Sequence, residues 1–187
     1  MEEGVITPQD SFIAWNGENY PFEAWNADQT LQSAMTSSVN WYFQSIDEQL
    51  ASTNIYNYIQ QIGYGNENVS GDLSTYWLES SLKISPVEQV ELLMKLQNNS
   101  LVFSSENINA VKDSICLSSS NTGKFYGKTG TGRVGGQDVN GWFIGYIEIV
   151  NNIYFFATNI GADNNATGSN AAEITMSKLS DMNIWRQ

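Results

Sequence analysis

Lys128 lies in the stretch FYGKTGTGRVGGQDVNGWF, residues 125–143, at the centre of a Gly-Lys-Thr that two unrelated chemistries use. One cradles phosphate on backbone amides. The other is acyl transfer on serine, where a strand lysine sits beside the acylated group. Spacing excludes the first: a phosphate loop requires Gly-x-x-x-x-Gly-Lys, and only Lys124, Phe125 and Tyr126 separate Gly123 from Gly127. A helix should also follow, whereas GTGRVGG is glycine-rich and NGWFIGYIEIV alternates large apolar with small or polar residues, as a strand does.

Serine acyl transfer assembles its site from separated elements: a Ser-x-x-Lys on a helix, a Ser-x-[Asn/Val] at a helix junction and a Lys-[Thr/Ser]-Gly on a strand. The strand is needed because its residues lie alongside the substrate, and the glycine keeps that approach free of a side chain. Lys128-Thr129-Gly130 meets the last demand and Ser38-Val39-Asn40 the second. Taken singly, Ser38 serves equally well as a helix cap, Trp77 as a core aromatic and Lys128 as an exposed strand lysine. Their joint occurrence, in order, carries the signal. One Ser-x-x-Lys occurs, Ser80-Ser81-Leu82-Lys83, and it is set aside as a decoy because Ile84-Ser85-Pro86 does not extend the helix it would need.

The elements that must position these residues follow from periodicity and caps. Residues 1–28 carry turn chemistry (Gly4, Pro8, Asn16-Gly17, Pro21) and no sustained period, so an irregular loop or short strands are expected. A short helix from about Gln29 to Met35, with Asp28 as cap, is followed by one starting near Ser38 that carries Val39, Tyr42, Phe43, Ile46 and Leu50. Asn54 caps IYNYIQQI, and Gly63 ends it. Residues 64–84 form a long loop, a length at which loops are often functional. SPVEQVELLMKL is the clearest helix: Ser85 caps, Pro86 opens the first turn, Glu88 closes a capping box, and Val87, Val90, Leu93 and Leu96 form the apolar stripe. A shorter helix spans Glu106 to Ser114. Strands are expected at 124–131, 141–149 and 153–159, the last two turning through Asn151-Asn152, before a final helix over 169–181. Helices, an antiparallel meander and a terminal helix make the fold class α+β in a single domain, with no internal repeat.

With these elements in place, WNADQTLQSAMTSSVNWYFQ, YGNENVSG, YWLESSLKISPVEQV and YGKTGTG…NGWFIGYIE…YFFATNI together resemble the class D serine β-lactamases, and more closely the extracellular sensor domains of BlaR-type penicillin receptors. The resemblance covers essentially the whole chain. It implies an antiparallel sheet flanked by helices with a helical lobe, and β-lactam antibiotics as partner. It also implies roles. Ser38 would bond and relay protons near the nucleophile, and Asn40 would contact the drug or the active-site lysine. Lys128 would supply positive potential and Thr129 would bind the drug's carboxylate. Gly130 would leave the approach open, and the N–H of Thr131 would be an oxyanion donor. Trp77 would border the catalytic lysine, and Tyr64, Gly65 and Asn66 would shape the loop beneath the site.

The resemblance places the nucleophile's Ser-x-x-Lys upstream of Met1-Glu2-Glu3-Gly4-Val5, so a chain cut just beyond that helix is expected, inactive alone and holding half a site. The sheet should then keep an unpaired edge, leading to self-association or to a rearranged segment 1–28 covering it. Class D hydrolases also place an arginine near the start of the last helix. ATGSNAAEI has none, Ala171 falls at that position, and the only arginines are Arg133 and Arg186. That difference favours a sensor over a hydrolase, with an inactive structural fragment as a third reading. The parent protein would be displayed on the extracellular face of a membrane or secreted.

Composition agrees with these readings. The net charge of −12, with only eight Lys and Arg among 187 residues, argues against nucleic acid or an anionic membrane surface as partner. With no histidine and the single Cys116, there is no internal disulfide and no case for zinc or haem; no cofactor is expected, and only an oxygen-ligand ion site stays open. No apolar run is long enough to span a bilayer.

Overall fold

The structure is a computed structural model that describes residues 1–72 and 74–185; Arg186 lies outside the described residues. The first third of the chain is irregular and then helical. A single bridge, Ile13 to Gln29, and a 3-10 turn, Glu23–Trp25, precede α1 (Leu31–Ser37), α2 (Asn40–Asp47) and α3 (Ser52–Ile62). Thr30, not Asp28, caps α1: its hydroxyl and that of Ser33 close a reciprocal box, while the Asp28 carboxylate accepts from the Trp15 amide at 2.8 Å. Helix α3 begins two residues before Asn54, which therefore lies inside it; Gly63 ends it with φ 66°, as glycine can without strain.

After the 64–84 loop come α4 (Pro86–Gln97) and α5 (Ser105–Ser114). The predicted capping box of α4 is present, with Ser85 accepting from Glu88 N and Glu88 accepting from Ser85 N. Its buried face is rotated from the expected stripe: Val87 is 69% exposed while Gln89 is buried beside Leu93.

The sheet is a four-stranded antiparallel meander in sequence order, β1 (Cys116–Ser120), β2 (Gly123–Val134), β3 (Gln137–Ile149) and β4 (Asn152–Gly161). Strand β1 escaped the sequence reading because CLSSS has no apolar alternation; backbone pairing with β2 holds it. Gly135 and Gly136, both at positive φ, turn β2 into β3. The next hairpin turns through Val150-Asn151, one residue earlier than expected, with Asn151 at φ 69° and Asn152 already paired to Ile149. The period of two in β2 and β3 splits the core. Phe125, Phe143 and Ile147 face α6 (Gly168–Asp181), where Ala171 and Leu179 meet them, while Tyr126 and Tyr146 face Leu93 of α4 and Ile115. The packing of residues 1–28 is seen against the helices, not as a cover over the sheet edge. Ile6 packs with Leu31, Ala34, Val39, Trp41 and Tyr42, and the Glu2 carboxylate accepts from Ser104 N at 2.8 Å at the start of α5.

Candidate functional site

Strand β2 is twelve residues long, but β1 pairs with it only as far as Tyr126, with one further bond from Gly127 N to Ile115 O at 2.9 Å. Beyond that point β2 is paired on one side only, to β3. Alternation makes the outward groups predictable: if Gly127 N–H points away from β3, so do the backbone groups of Thr129 and Thr131. Thr129, Gly130 and Thr131 are all exposed. This is a short open edge whose outward N–H groups at Thr129 and Thr131 have no strand partner among the described residues. On the other side of the strand, Gly168 at the start of α6 presses so closely that an added Cβ would come within 2.7 Å of Gly130 O, and its N–H donates to Thr131 Oγ at 2.9 Å.

Lys128 is the cation of this edge. Its Nζ donates to Thr129 O at 2.7 Å and to the hydroxyl of Ser38, ninety positions away in sequence. Burial lowers its pKa, and no carboxylate offsets that effect. A partly desolvated ammonium bonded only to neutral oxygens keeps a positive potential that an anionic group can use.

Ser38 occupies a position where glycine is usual. It does not start a helix, as the sequence suggested; it ends α1 with φ 52° and ψ 48°, and α2 begins two residues later at Asn40. Val39 N–H closes back on Ala34 O at 2.9 Å, and the Val39 side chain is fully buried beneath the turn. A left-handed residue reverses the chain sharply there, and for serine that conformation costs about 1–2 kcal/mol. Its hydroxyl is what points at Lys128. Backbone strain of this kind clusters at functional sites, though each such residue costs stability where it stands.

The remaining predicted residues divide into two groups. Tyr64 and Trp77 lie together in the 64–84 loop, packed with Ile55, Tyr76 and Leu82; Trp77 meets Tyr76 edge-on, ring centroids 4.9 Å apart. Gly65 and Asn66 close that loop on itself. Asn66 donates from Nδ2 to Ser81 O and accepts from Lys83 N, each at 2.9 Å, and a Cβ on Gly65 would stand 1.9 Å from Lys83 O. Asn40 opens α2 at the far side of the Ser38 turn. Ser80 and Lys83 lie in loop and not on a helix; Lys83 pairs with Glu79 at 3.5 Å and is 56% exposed. Ala171 is fully buried against the sheet, and Arg133, paired to Asp138 at 2.7 Å, is engaged past the end of the open edge. No local pattern displays the close approach of Gly168, and a serine between two short helical patterns is the one clue to the left-handed turn at Ser38.

The model of the penicillin binding protein transpeptidase domain matches residues 1–180. The chain belongs to that family. It is 46% identical over 185 residues to the Regulatory protein BlaR1 of Bacillus licheniformis, covering 99% of this chain and 31% of that protein. The solved C-terminal domain of the Bacillus licheniformis BlaR penicillin-receptor superposes with a TM-score of 0.93 at 46% identity, over 99% of this chain and 75% of that one. A class D β-lactamase from Bacillus subtilis superposes with a TM-score of 0.90 at 33% identity, over 100% of this chain and 76% of that one. The chain thus spans about a third of the curated receptor's length. The α+β architecture and the family relation predicted from the motifs both stand.

Proposed function

We propose that this chain is the β-lactam-recognising part of a receptor that signals the arrival of penicillins and induces resistance, displayed on the extracellular face of the membrane. The observation that carries the reading is the strained Ser38 turn, which aims a hydroxyl at Lys128, an ammonium with no carboxylate partner, beside the open edge of β2. In this reading Lys128 attracts the drug's carboxylate, Thr129 binds it, Gly130 leaves the approach open and the Thr131 N–H faces the lactam carbonyl. Asn40 contacts the drug's side chain or the active-site lysine, Trp77 borders that lysine, and residues 64–66 hold the floor. Among the described residues no helix is long and apolar enough to cross a membrane, so anchoring would be the task of other sequence in a longer receptor.

The sole Ser-x-x-Lys of this sequence, Ser80 to Lys83, has no helix to align its pair. We propose that residues 1–187 act as one domain whose acylatable serine lies in sequence outside them, so that this chain binds β-lactams reversibly. Titration with benzylpenicillin, followed by backbone NMR, tests this. Saturable shifts at Ser38 and Lys128 to Thr131, abolished by Lys128→Ala, with no change in intact mass, are expected. Silence of those resonances at drug concentrations of about 10 mM, corresponding to only about 3 kcal/mol of binding, would remove the reading; a drug-sized mass gain on Ser80 or Ser38 would remove the reversible step.

A second reading, a class D β-lactamase, is favoured by the superposition on the Bacillus subtilis enzyme. Against it, the first turn of α6, Gly168, Ser169 and Asn170, carries no cation. Turnover of a chromogenic cephalosporin, measured on a longer protein that carries the acylatable serine, distinguishes the two.

A further inference from the structure

Glu79 joins the 64–84 loop to three strands at once. Its Oε1 accepts from Asn140 Nδ2 at 2.6 Å; Asn140 Oδ1 in turn accepts from Asn159 Nδ2 at 2.6 Å. Asn140 pairs across the sheet with Gly132 on β2 and with Gly161 on β4. The carboxylate also lies directly on β2: a Cβ on Gly132 would stand 2.1 Å from Glu79 Oε1. Gly132 is where the β2 and β3 register shifts, one residue beyond Thr131. Glu79 itself is held at φ 35°, and Lys83 reaches its other oxygen at 3.5 Å. An acidic side chain that is mostly buried, bonded to an amide chain and seated on a glycine is a fixed part, not a solvated surface charge; it is 22% exposed.

We infer that Glu79 is a positioning residue, the latch that holds the 64–84 loop, and with it Trp77 two residues earlier, against the end of the open edge of β2. Gly132 is the keeper of this latch, because a side chain there would evict the carboxylate. The bond is charge-assisted and partly buried, so its loss should loosen the loop by about tenfold or more in amide exchange. The consequence for drug binding rests on the function proposed above; the latch itself does not.

The test compares hydrogen exchange over 64–84 in the wild-type chain, Glu79→Ala, Gly132→Ala, the double variant and Glu79→Gln, each also titrated with benzylpenicillin. Glu79→Ala and Gly132→Ala should each speed exchange in the loop by about tenfold, and the double variant should add little to either, because both break one contact. Glu79→Gln, whose Oε1 still accepts from Asn140, should restore most of the protection. Both loosened variants should also bind benzylpenicillin about threefold or more weakly. Exchange in Glu79→Ala within twofold of wild type, or additive effects in the double variant, would overturn the latch. Faster exchange with unchanged drug binding would overturn the positioning role. A wild-type chain that ignores benzylpenicillin would instead sink the proposed function, leaving the exchange arm to decide the latch.

Discussion

If Ser38 is strained in order to present its hydroxyl, then glycine and alanine must part company at that position. Both substitutions delete the hydroxyl and leave Lys128 Nζ with Thr129 O as its remaining acceptor, so that loss, about 1–3 kcal/mol for a bond to a charged group, is common to the two and cancels between them. What differs is the backbone. At φ 52° alanine keeps the Cβ clash, worth about 1–2 kcal/mol, which glycine lacks. Glycine pays part of this back through its more flexible unfolded chain, about 0.5–1 kcal/mol. Ser38→Gly should therefore be the more stable by about 0.5–1 kcal/mol, a melting-temperature gap of about 1–4 °C for a chain of this size. Differential scanning calorimetry of the two variants resolves such a gap, and the benzylpenicillin response should be lost equally in both. A Ser38→Ala protein that melts at or above Ser38→Gly would mean that the turn carries no strain, and the argument that function holds serine there would fail.

Other perturbations give equally definite outcomes. Burial raises the Asp47 pKa from 3.8 to about 6 despite its bond to the Tyr76 hydroxyl, so the folded state holds this proton more tightly than the unfolded one and loses stability as pH rises from about 4 through 6. Because the group is only half buried, about 1 kcal/mol is expected. Urea titrations across that window should show the wild-type curve falling relative to Asp47→Asn, and parallel curves would contradict the assignment. Gly65→Ala places a Cβ 1.9 Å from Lys83 O at φ +51° and should cost about 2–3 kcal/mol with selective loss of protection in 64–84; a cost under about 0.5 kcal/mol in denaturant melts would show that the loop can re-route. Strand β4, at the sheet's edge with no charged residue from Asn152 to Gly161 and with Ile153 41% exposed, should drive concentration-dependent association that Ile153→Lys suppresses, whereas light scattering showing a monomer at every concentration would refute it.

How much of this was legible in the sequence depends on the range of the interaction that fixes each feature. The α4 capping box, the Gly63 stop and the strands around Lys128 are set by neighbours within a few residues, and the sequence displayed them. Strand β1 and the exposure of Val87 are set by what the rest of the chain does or does not offer as a partner, which no local pattern encodes. The site shows the same division. Lys128-Thr129-Gly130 announced itself through a strand pattern with glycine at a fixed offset. Ser38 does meet Lys128, but not as the N-cap that a serine before a helical run resembles; it ends α1 in a left-handed turn that no local pattern displays.

Glu79 is the extreme case. Nothing in YWLESSLK distinguishes its glutamate from a solvated one; its role exists only because Gly132, 53 positions later, leaves room for the carboxylate and Asn140 donates to it. Yet the two halves of the arrangement have one logic. At Ser38 a residue with a side chain occupies a backbone state suited to glycine, and at Gly132 a glycine occupies a strand position that disfavours it. Each exception costs stability locally, and each brings a polar side chain to bear on the same strand, one beside Lys128 and the other just past Thr131. Residues that break their local rules thus stand at both ends of one open edge, which supports the binding role proposed for it.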